Sequence, residues 1–260
     1  MSIHPSCIIE GELDAPADIE IGAYTVIRGQ VKIGAGCKID PHVTLGSRFS
    51  VIEMGEGNHI CSGAVIGGAP QDLSYCNEQH KIVIGHRNTL REFVTVNIGT
   101  TKGGGVTRIG NNCYFMTTVH IGHDCQIGDR VVIANDSHLG GHTIIEDDAT
   151  IGGVCAFNQF VRVGKCSFIG GGSVVVKDIL PFSRALGNHA VVRASNKIGM
   201  QRKGYTNQDV ENIHRAIRII LMGSSTIQEA IMRIRNECQM SAAIEHLLWF
   251  IQSSKRGIAK

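Results

Sequence analysis

The sequence predicts an all-β parallel β-helix of hexapeptide repeats, followed by a C-terminal α-helical domain. Large apolar residues recur at every sixth position through most of the first two thirds of the chain. Two polar or glycine-rich segments interrupt this pattern, and helical patterns begin only after it has stopped. We therefore expect a β-helical domain over residues 1–190, with external loops near 68–81 and 99–107, and a helical domain over residues 191–260.

The period of six is clearest between Ile109 and Val175, where all twelve positions in this spacing are large and apolar. The same spacing begins at Ile3, slips by three residues at Met54 and resumes at Ile84. An α-helix repeats near 3.6 residues and a strand at 2, so neither explains this period. Three short strands with their turns would make a coil of about eighteen residues that pairs in parallel with the next coil.

Small residues occupy a second fixed position in each repeat. A glycine often follows the apolar residue, which suits a corner that needs a positive φ or a close backbone approach. Four places after the apolar residue stands a small or β-branched residue, or a cysteine such as Cys113, Cys125 or Cys155. We therefore interpret these cysteines as core residues.

The helical patterns lie beyond residue 205. Thr206 with Asp209 resembles a capping pair, and Thr226 with Glu229 forms a capping box. A further apolar stripe follows near residues 244–251. We expect these helices to cover the open end of the β-helix, which would otherwise expose a sheet edge.

Composition excludes several functional classes. Lys and Arg total 25 and Asp and Glu total 23, so the net charge of +2 does not indicate nucleic-acid binding. No apolar run is long enough for a transmembrane helix, and the first residues do not resemble a secretory signal. The nine cysteines contain no CxxC pair, which favours reduced thiols in a cytoplasmic protein.

Four histidines lie close together in the sequence: His120, His123, His138 and His142. His120 and His138 are one coil apart, so we expect them to stack on one outward face. The residues alone leave three interpretations open. The histidines form a solvent-facing row, bind zinc, or supply a general base at His123 that the adjacent Asp124 orients.

Several motifs in a fixed order resemble one family. They are PQDLSY (70–75), FMTTVHIGHDCQIGDR (115–130), GGHTIIEDDATIGG (140–153), GNHA (187–190) and MQRKGY (200–205). Together they resemble the UDP-N-acetylglucosamine O-acyltransferases of lipid A biosynthesis over nearly the whole chain. The resemblance implies a left-handed β-helix and a homotrimer with active sites between subunits. It also implies transfer of a 3-hydroxyacyl chain from acyl carrier protein to the 3-hydroxyl of UDP-N-acetylglucosamine.

The resemblance also implies a role for individual residues. His123 matches the general base, with Asp124 beside it, and the Gly141 N–H matches the oxyanion donor. The expected substrate contacts are Asp72, His120, His142 and Gln159. The expected nucleotide contacts are His189, Asn196 and Arg202. Gly171 matches the position that limits acyl length. The acyl donor would arrive on the phosphopantetheine of acyl carrier protein, so we expect no resident cofactor and no metal.

Three positions depart from the family pattern. Ser74 stands where the family usually has Lys, and Asn97 and Asn158 stand where it usually has His. Ser74 and Asn158 fall among the expected substrate contacts, and none of the three changes affects the expected base. The departures are therefore compatible with acyl transfer, but they leave the identity of the acceptor sugar open. An N-acyltransferase acting on a related UDP-amino sugar therefore remains an alternative. A zinc-binding or non-catalytic hexapeptide-repeat protein is a further one.

Overall fold

The computed structural model describes residues 2–222 and 226–260, and it shows a parallel β-helix with helices at its C-terminal end. Successive short strands belong to different sheets, so a strand pairs in parallel with the strand that lies three positions earlier in the chain. His120, for example, pairs with His138 one coil later. The period of six in the sequence therefore corresponds to one strand and its corner.

The strands form three sheets. The first sheet contains Ser2–Ile3, Glu20–Ile21, Lys38–Ile39, His59–Ile60, Thr89–Leu90, Tyr114–Phe115, Val132–Ile133, Thr150–Ile151, Phe168–Ile169, Ser183–Leu186 and Val191–Ser195. The second contains Ile8–Ile9, Val26–Ile27, Thr44–Leu45, Val65–Gly68, Thr95–Asn97, His120–Ile121, His138–Leu139, Ala156–Phe157 and Val174–Val175. The third contains Glu12–Asp14, Gln30–Ile33, Ser50–Met54, His80–Ile84, Val106–Ile109, Gln126–Ile127, Ile144–Ile145 and Arg162–Val163.

The apolar residues of the repeat fill the core between the three sheets. All twelve repeat positions from Ile109 to Val175 are buried, as expected for side chains that stack from coil to coil. Cys113, Cys125 and Cys155 are buried as well, which confirms their interpretation as core residues. Burial raises the pKa of the Cys125 thiol to about 12, so this thiol stays protonated and unreactive.

The corners of the coils show why glycine follows the apolar residue. None of these glycines between Gly110 and Gly170 has a positive φ. A β-carbon at Gly122 would instead lie 2.7 Å from the Leu139 carbonyl oxygen. Close approach between coils is therefore the reason for glycine here. The positive φ falls two residues later in the corner, on residues such as Asp124 (φ 59°) and His142 (φ 60°).

Two loops leave the corners between the second and third sheets. Residues 69–79 form the first loop, and residues 98–105 form the second loop, which contains the 3-10 helix Thr101–Gly103. Both lie where the sequence predicts insertions. Their positions place them beside the corner that carries His123.

The chain after the last coil forms helices α1 (Lys197–Arg202), α2 (Asn207–Met222), α3 (Ile227–Glu237) and α4 (Ala242–Gln252). The capping box of Thr226 and Glu229 is present, which confirms that prediction. The first sheet continues through the antiparallel strand Val191–Ser195, so helical structure begins beyond the predicted boundary at residue 190. No helix among the described residues is long and apolar enough to cross a membrane.

Helix α4 is fastened to the last coils by polar and aromatic contacts. His246 lies 2.7 Å from the carboxylate of Glu146, and the Arg162 guanidinium lies over the Phe250 ring at 4.3 Å. The strand Val191–Ser195 packs against α2. The helices therefore cover the end of the β-helix, as expected for a sheet edge that needs protection.

Candidate active site

Two neighbouring coils bring the four histidines to one edge of the second sheet. His120 and His138 are paired in adjacent strands, with ring centroids 6.4 Å apart. His123 and His142 occupy the corners that follow these strands, and the His142 N–H donates to the His123 carbonyl oxygen over 2.9 Å. The predicted stacking of His120 and His138 on an outward face is confirmed.

His123 and Asp124 form a buried pair. The Nδ1 atom of His123 lies 2.8 Å from Oδ2 of Asp124, and the residues are 5 % and 3 % exposed. A carboxylate accepts hydrogen bonds, so the hydrogen of the neutral imidazole resides on Nδ1. Nε2 therefore keeps its lone pair, which is the state that a general base needs.

The second loop holds Asp124 in place. Thr100 donates its N–H to Oδ1 over 2.9 Å and its hydroxyl to Oδ2 over 2.6 Å. Thr107, just beyond the loop, accepts the Asp124 N–H over 2.8 Å. Sequence reasoning missed both threonines. The sequence feature that could have indicated them is the glycine-rich insertion at residues 99–107, which has a threonine near each end and precedes the coil that carries His123.

Gly141 lies against the ring of His123 from the next coil. A β-carbon at Gly141 would be 2.5 Å from Nε2 of His123, so only glycine leaves the ring in place. The Gly141 N–H donates to no acceptor among the described residues. A β-carbon at Gly122 would lie 3.0 Å from this nitrogen, so glycine at position 122 keeps a side chain away from the N–H. A free N–H beside the base is the geometry of an oxyanion donor.

His120 and His142 flank this pair as neutral groups. His142 stacks on Phe160, with centroids 4.3 Å apart, and meets His123 edge to face. Burial lowers the pKa of His142, as does His123, although Asp124 opposes the shift. Burial is the main cause that lowers the pKa of His120, and the nearby His138 and His123 lower it further. The hydroxyl of Thr95 fixes the His120 ring through a 2.8 Å hydrogen bond with Nδ1.

These groups border a cleft of about 280 Å³. Its lining consists of Gln71, Asn97, His120, Gly122, His123, His138, Leu139, Gly140, Gly141, Ala156, Phe157 and Gln159. The structure thus brings together the expected base, oxyanion donor and two of the expected substrate contacts, His120 and Gln159. His123 is nearly buried, but it belongs to the lining of this cleft.

The first loop adds a polar group beside the cleft. Asp72 accepts the N–H and hydroxyl of Ser74, at 2.8 and 2.9 Å. These bonds lower the pKa of Asp72, with further contributions from Lys102 and His123. The ammonium of Lys102 donates to the Ser74 hydroxyl over 2.8 Å. Lys102, on the second loop, therefore places a cation beside Ser74, the position where the family usually has Lys. Sequence reasoning missed this residue.

Asn97 is buried at the edge of the cleft with half of its amide unpaired. Its Nδ2 donates to the Ala69 carbonyl oxygen over 2.9 Å, while its Oδ1 has no hydrogen-bond partner among the described residues. A buried carbonyl oxygen without a partner is energetically costly. It is therefore an acceptor that a bound ligand can satisfy.

Other expected contacts lie outside this cleft in a single copy of the chain. Asn196 and Arg202 border a separate cavity of about 580 Å³, together with Lys197 and Lys203. Asn196 also caps α1, because its Oδ1 accepts the Gly199 N–H over 3.2 Å. Neither cavity is lined by Asn158, Gly171 or His189. Their roles in binding remain predictions.

The catalytic corner also contains possible metal ligands. His123, Asp124 and His142 offer atoms that all lie within 4.8 Å of one another. Both Asp124 oxygens, however, already accept hydrogen bonds from Thr100, and Oδ2 also pairs with His123. Oδ2 is therefore fully engaged, and zinc bound through it would compete with His123 and the Thr100 hydroxyl, so this donor set fits a histidine–aspartate pair better than a metal centre.

The fold and the site define the class of protein. A parallel β-helix with a buried histidine–aspartate pair beside a backbone N–H that has no acceptor among the described residues is suited to acyl transfer. Residues 107–141 match the family model described as bacterial transferase hexapeptide (six repeats). Residues 178–259 match the model described as UDP N-acetylglucosamine O-acyltransferase, domain 2.

Full-length relatives agree with these matches. The acyl-(acyl-carrier-protein)–UDP-N-acetylglucosamine O-acyltransferase of Myxococcus xanthus is 39% identical over 258 residues, 99% of each chain. That of Anaeromyxobacter dehalogenans strain 2CP-1 is 42% identical over 100% of both chains. The crystal structure of UDP-N-acetylglucosamine O-acyltransferase from Moraxella catarrhalis matches with a TM-score of 0.94 at 35% identity over 100% of both chains. This chain belongs to the UDP-N-acetylglucosamine O-acyltransferase family, and the prediction of a left-handed β-helix is confirmed.

Proposed function

We propose that this protein transfers a 3-hydroxyacyl group from acyl carrier protein to the 3-hydroxyl of UDP-N-acetylglucosamine, the first step of lipid A biosynthesis. One observation carries the proposal: the buried pair of His123 and Asp124 stands beside the unbonded N–H of Gly141 in a cleft. Membership of the family supports the choice of donor and acceptor.

The reaction follows from the position of these groups. Nε2 of His123 takes the proton of the sugar hydroxyl while its oxygen attacks the thioester carbonyl carbon. The Gly141 N–H donates to the carbonyl oxygen as negative charge develops on it, which is worth about 3 kcal/mol in related oxyanion sites. The C–S bond then breaks, and the proton on His123 passes to the departing thiolate of phosphopantetheine.

Asp124 performs two tasks in this sequence. It fixes the hydrogen of His123 on Nδ1, and it stabilises the imidazolium that forms when Nε2 takes the proton. Thr100 and Thr107 hold Asp124 in the left-handed corner conformation that this task requires. The acyl donor brings its own phosphopantetheine, so the proposal includes no resident cofactor.

We further propose a homotrimer in which neighbouring copies complete the site. The catalytic cleft and the cavity at Asn196 and Arg202 are separate in one copy. Basic residues at the second cavity suit nucleotide phosphates, and Arg202 offers a planar set of donors. A neighbouring copy would bring this cavity towards the catalytic cleft.

We also propose that the protein acts in the cytoplasm. The cysteines of the described residues are free thiols, which is usual for proteins of a reducing compartment.

An assay with purified protein and 3-hydroxyacyl carrier protein tests the proposal. Acylation of UDP-N-acetylglucosamine that falls by roughly 100-fold or more in His123→Ala supports it. The control is His86→Ala, a histidine outside the cleft lining. Activity that survives in His123→Ala would contradict the mechanism.

A second acceptor is favoured by one observation. Asn97 lines the cleft, and its buried Oδ1 has no hydrogen-bond donor among the described residues. An amine at the sugar 3-position offers it an additional N–H, so a UDP-amino sugar is the alternative substrate. Comparing kcat/KM for the two acceptors, in the wild type and in Asn97→His, distinguishes them. If the amino sugar is preferred, Asn97→His should shift the preference towards the hydroxyl substrate.

A further inference from the structure

A second cluster of chemically active side chains joins two coils on the first sheet. Asp40 follows the strand Lys38–Ile39, and His59 and Cys61 lie in and directly after the paired strand His59–Ile60. Their ligand atoms all lie within 4.8 Å of one another, and none of the three lines the catalytic cleft. The cluster is therefore independent of the chemistry proposed above.

The separations fit one tetrahedral cation. Nε2 of His59 lies 2.9 Å from Oδ2 of Asp40 and 3.8 Å from Sγ of Cys61. Zinc bonds of about 2.0–2.3 Å at tetrahedral angles place such ligand atoms roughly 3.3–3.6 Å apart. Shifts of a few tenths of an ångström would bring Nε2 of His59 to these distances from both Asp40 and Cys61.

Asp40 can accept hydrogen bonds from both His59 and Cys61, so without a cation the three side chains form a hydrogen-bonded cluster. A neutral imidazole nitrogen either donates or accepts, so Nε2 of His59 serves Asp40 or Cys61 but not both. The thiol of Cys61 is almost fully buried. A cation at the common point would accept a lone pair from each of the three side chains.

The surroundings permit a cation to enter. The side chains of His59 and Asp40 are 37% and 21% exposed, so the fourth coordination position faces solvent. Lys38 reaches only the other oxygen of Asp40, at 3.5 Å. Arg91, the other nearby cation, is held in an ion pair with Glu92 at 2.9 Å.

We propose that Asp40, His59 and Cys61 bind a zinc-type divalent cation that links the two coils, with water as the fourth ligand. A mixed thiolate, imidazole and carboxylate set suits zinc, whereas magnesium and calcium prefer oxygen ligands. Binding forms a metal–sulfur bond and releases the thiol proton to solvent.

Cobalt(II) titration of the reduced full chain tests the site, because thiolate coordination to cobalt gives a near-ultraviolet charge-transfer band. We expect a saturable band that zinc removes by competition. Cys61→Ser should abolish it. Asp40→Asn and His59→Gln should weaken binding by more than roughly tenfold, since even outer-shell changes cost about 10–100-fold in affinity.

Two controls separate this site from others. Cys76→Ser removes an exposed free thiol and should leave the band unchanged, and so should His123→Ala, which alters the other possible ligand cluster. Zinc should also raise the melting temperature of the wild type but not of His59→Gln, whose change is at a half-exposed side chain. Absence of the band, or its persistence in Cys61→Ser, would overturn the proposal.

Discussion

Gly141 and His123, from neighbouring coils, are so close that a β-carbon on the glycine would lie 2.5 Å from Nε2 of the histidine, the proposed base. The N–H of Gly141 has no acceptor among the described residues. The proposed base and the proposed oxyanion donor therefore share one contact. This contact is fixed by the coil-to-coil hydrogen bond from the His142 N–H to the His123 carbonyl oxygen.

Gly141→Ala should disable the base without unfolding the chain. The added methyl group displaces the His123 ring, and a misplacement of about 1 Å costs on the order of 100-fold in rate. We expect kcat to fall by about that factor, measured by steady-state acylation, while KM for the carrier protein changes little.

Gly153→Ala is the matched control, because its β-carbon would lie 3.1 Å from the nearest atom, the Asn135 carbonyl oxygen, and far less adjustment is needed. Near-normal kcat in Gly141→Ala would show that the base does not occupy the observed position.

Thr100→Val removes the hydroxyl that bonds Oδ2 of Asp124 but keeps the shape of the side chain. A hydrogen bond to a buried charged group is worth about 1.5–3 kcal/mol, so the free energy of unfolding should fall by that amount. Activity should fall too, because Asp124 loses part of the support that orients His123. Urea denaturation and initial rates measure the two effects.

The comparison variant is Thr101→Val, at the next position, where the hydroxyl lies 3.2 Å from Nε2 of the half-buried His80 and does not contact Asp124. Equal effects in the two variants would contradict the role given to Thr100.

Repeat positions were readable from the sequence, whereas loop contacts were not. The apolar period determines which residues enter the core, and His123 and Asp124 are adjacent in the chain, so their pairing was open to prediction. Thr100 and Lys102 reach the site only through the path of the second loop. No periodic pattern specifies such a path, and their roles became visible only in the structure.

Corner conformations show a second limit. Glycine in the repeat suggested either a positive φ or a close backbone approach, and the positive φ falls instead on Asp124 and His142. Glycine is required instead where neighbouring backbones touch, as at Gly122. The sequence alone does not distinguish a positive φ from a close backbone approach, because both conditions favour glycine over a residue with a β-carbon.

Lys102→Met should raise KM for the UDP-sugar more than it lowers kcat. Its ammonium contacts Ser74, which in turn bonds Asp72, an expected sugar contact. The double variant Ser74→Lys with Lys102→Met places the cation on the first loop and should recover most of the lost affinity. Steady-state kinetics with varied acceptor measure both changes. Failure of the double variant to improve on Lys102→Met would show that Lys102 acts otherwise.

Stability should fall on acidification because of His120 and His142. Their pKa values are lowered from the ordinary 6.5, so the unfolded chain binds protons that the folded chain does not. Their contribution is complete above about pH 6.5 and is lost as the pH falls towards the folded values. Melting temperatures from pH 8 to pH 5 should therefore decline less steeply in His120→Gln with His142→Gln than in the wild type. His4→Gln, at an exposed site, should leave the slope unchanged.

Mixing two inactive variants tests whether neighbouring copies share the site. His123→Ala removes the base, and Arg202→Ala removes an expected nucleotide contact in the separate cavity. If each site takes its base from one copy and its arginine from the next, random reassembly of equal amounts restores about one quarter of the wild-type sites. Activity of the co-refolded mixture should therefore rise well above that of either variant refolded alone. A mixture no more active than the average of its parents, with mixed assemblies verified by two affinity tags, would mean that both residues serve one copy.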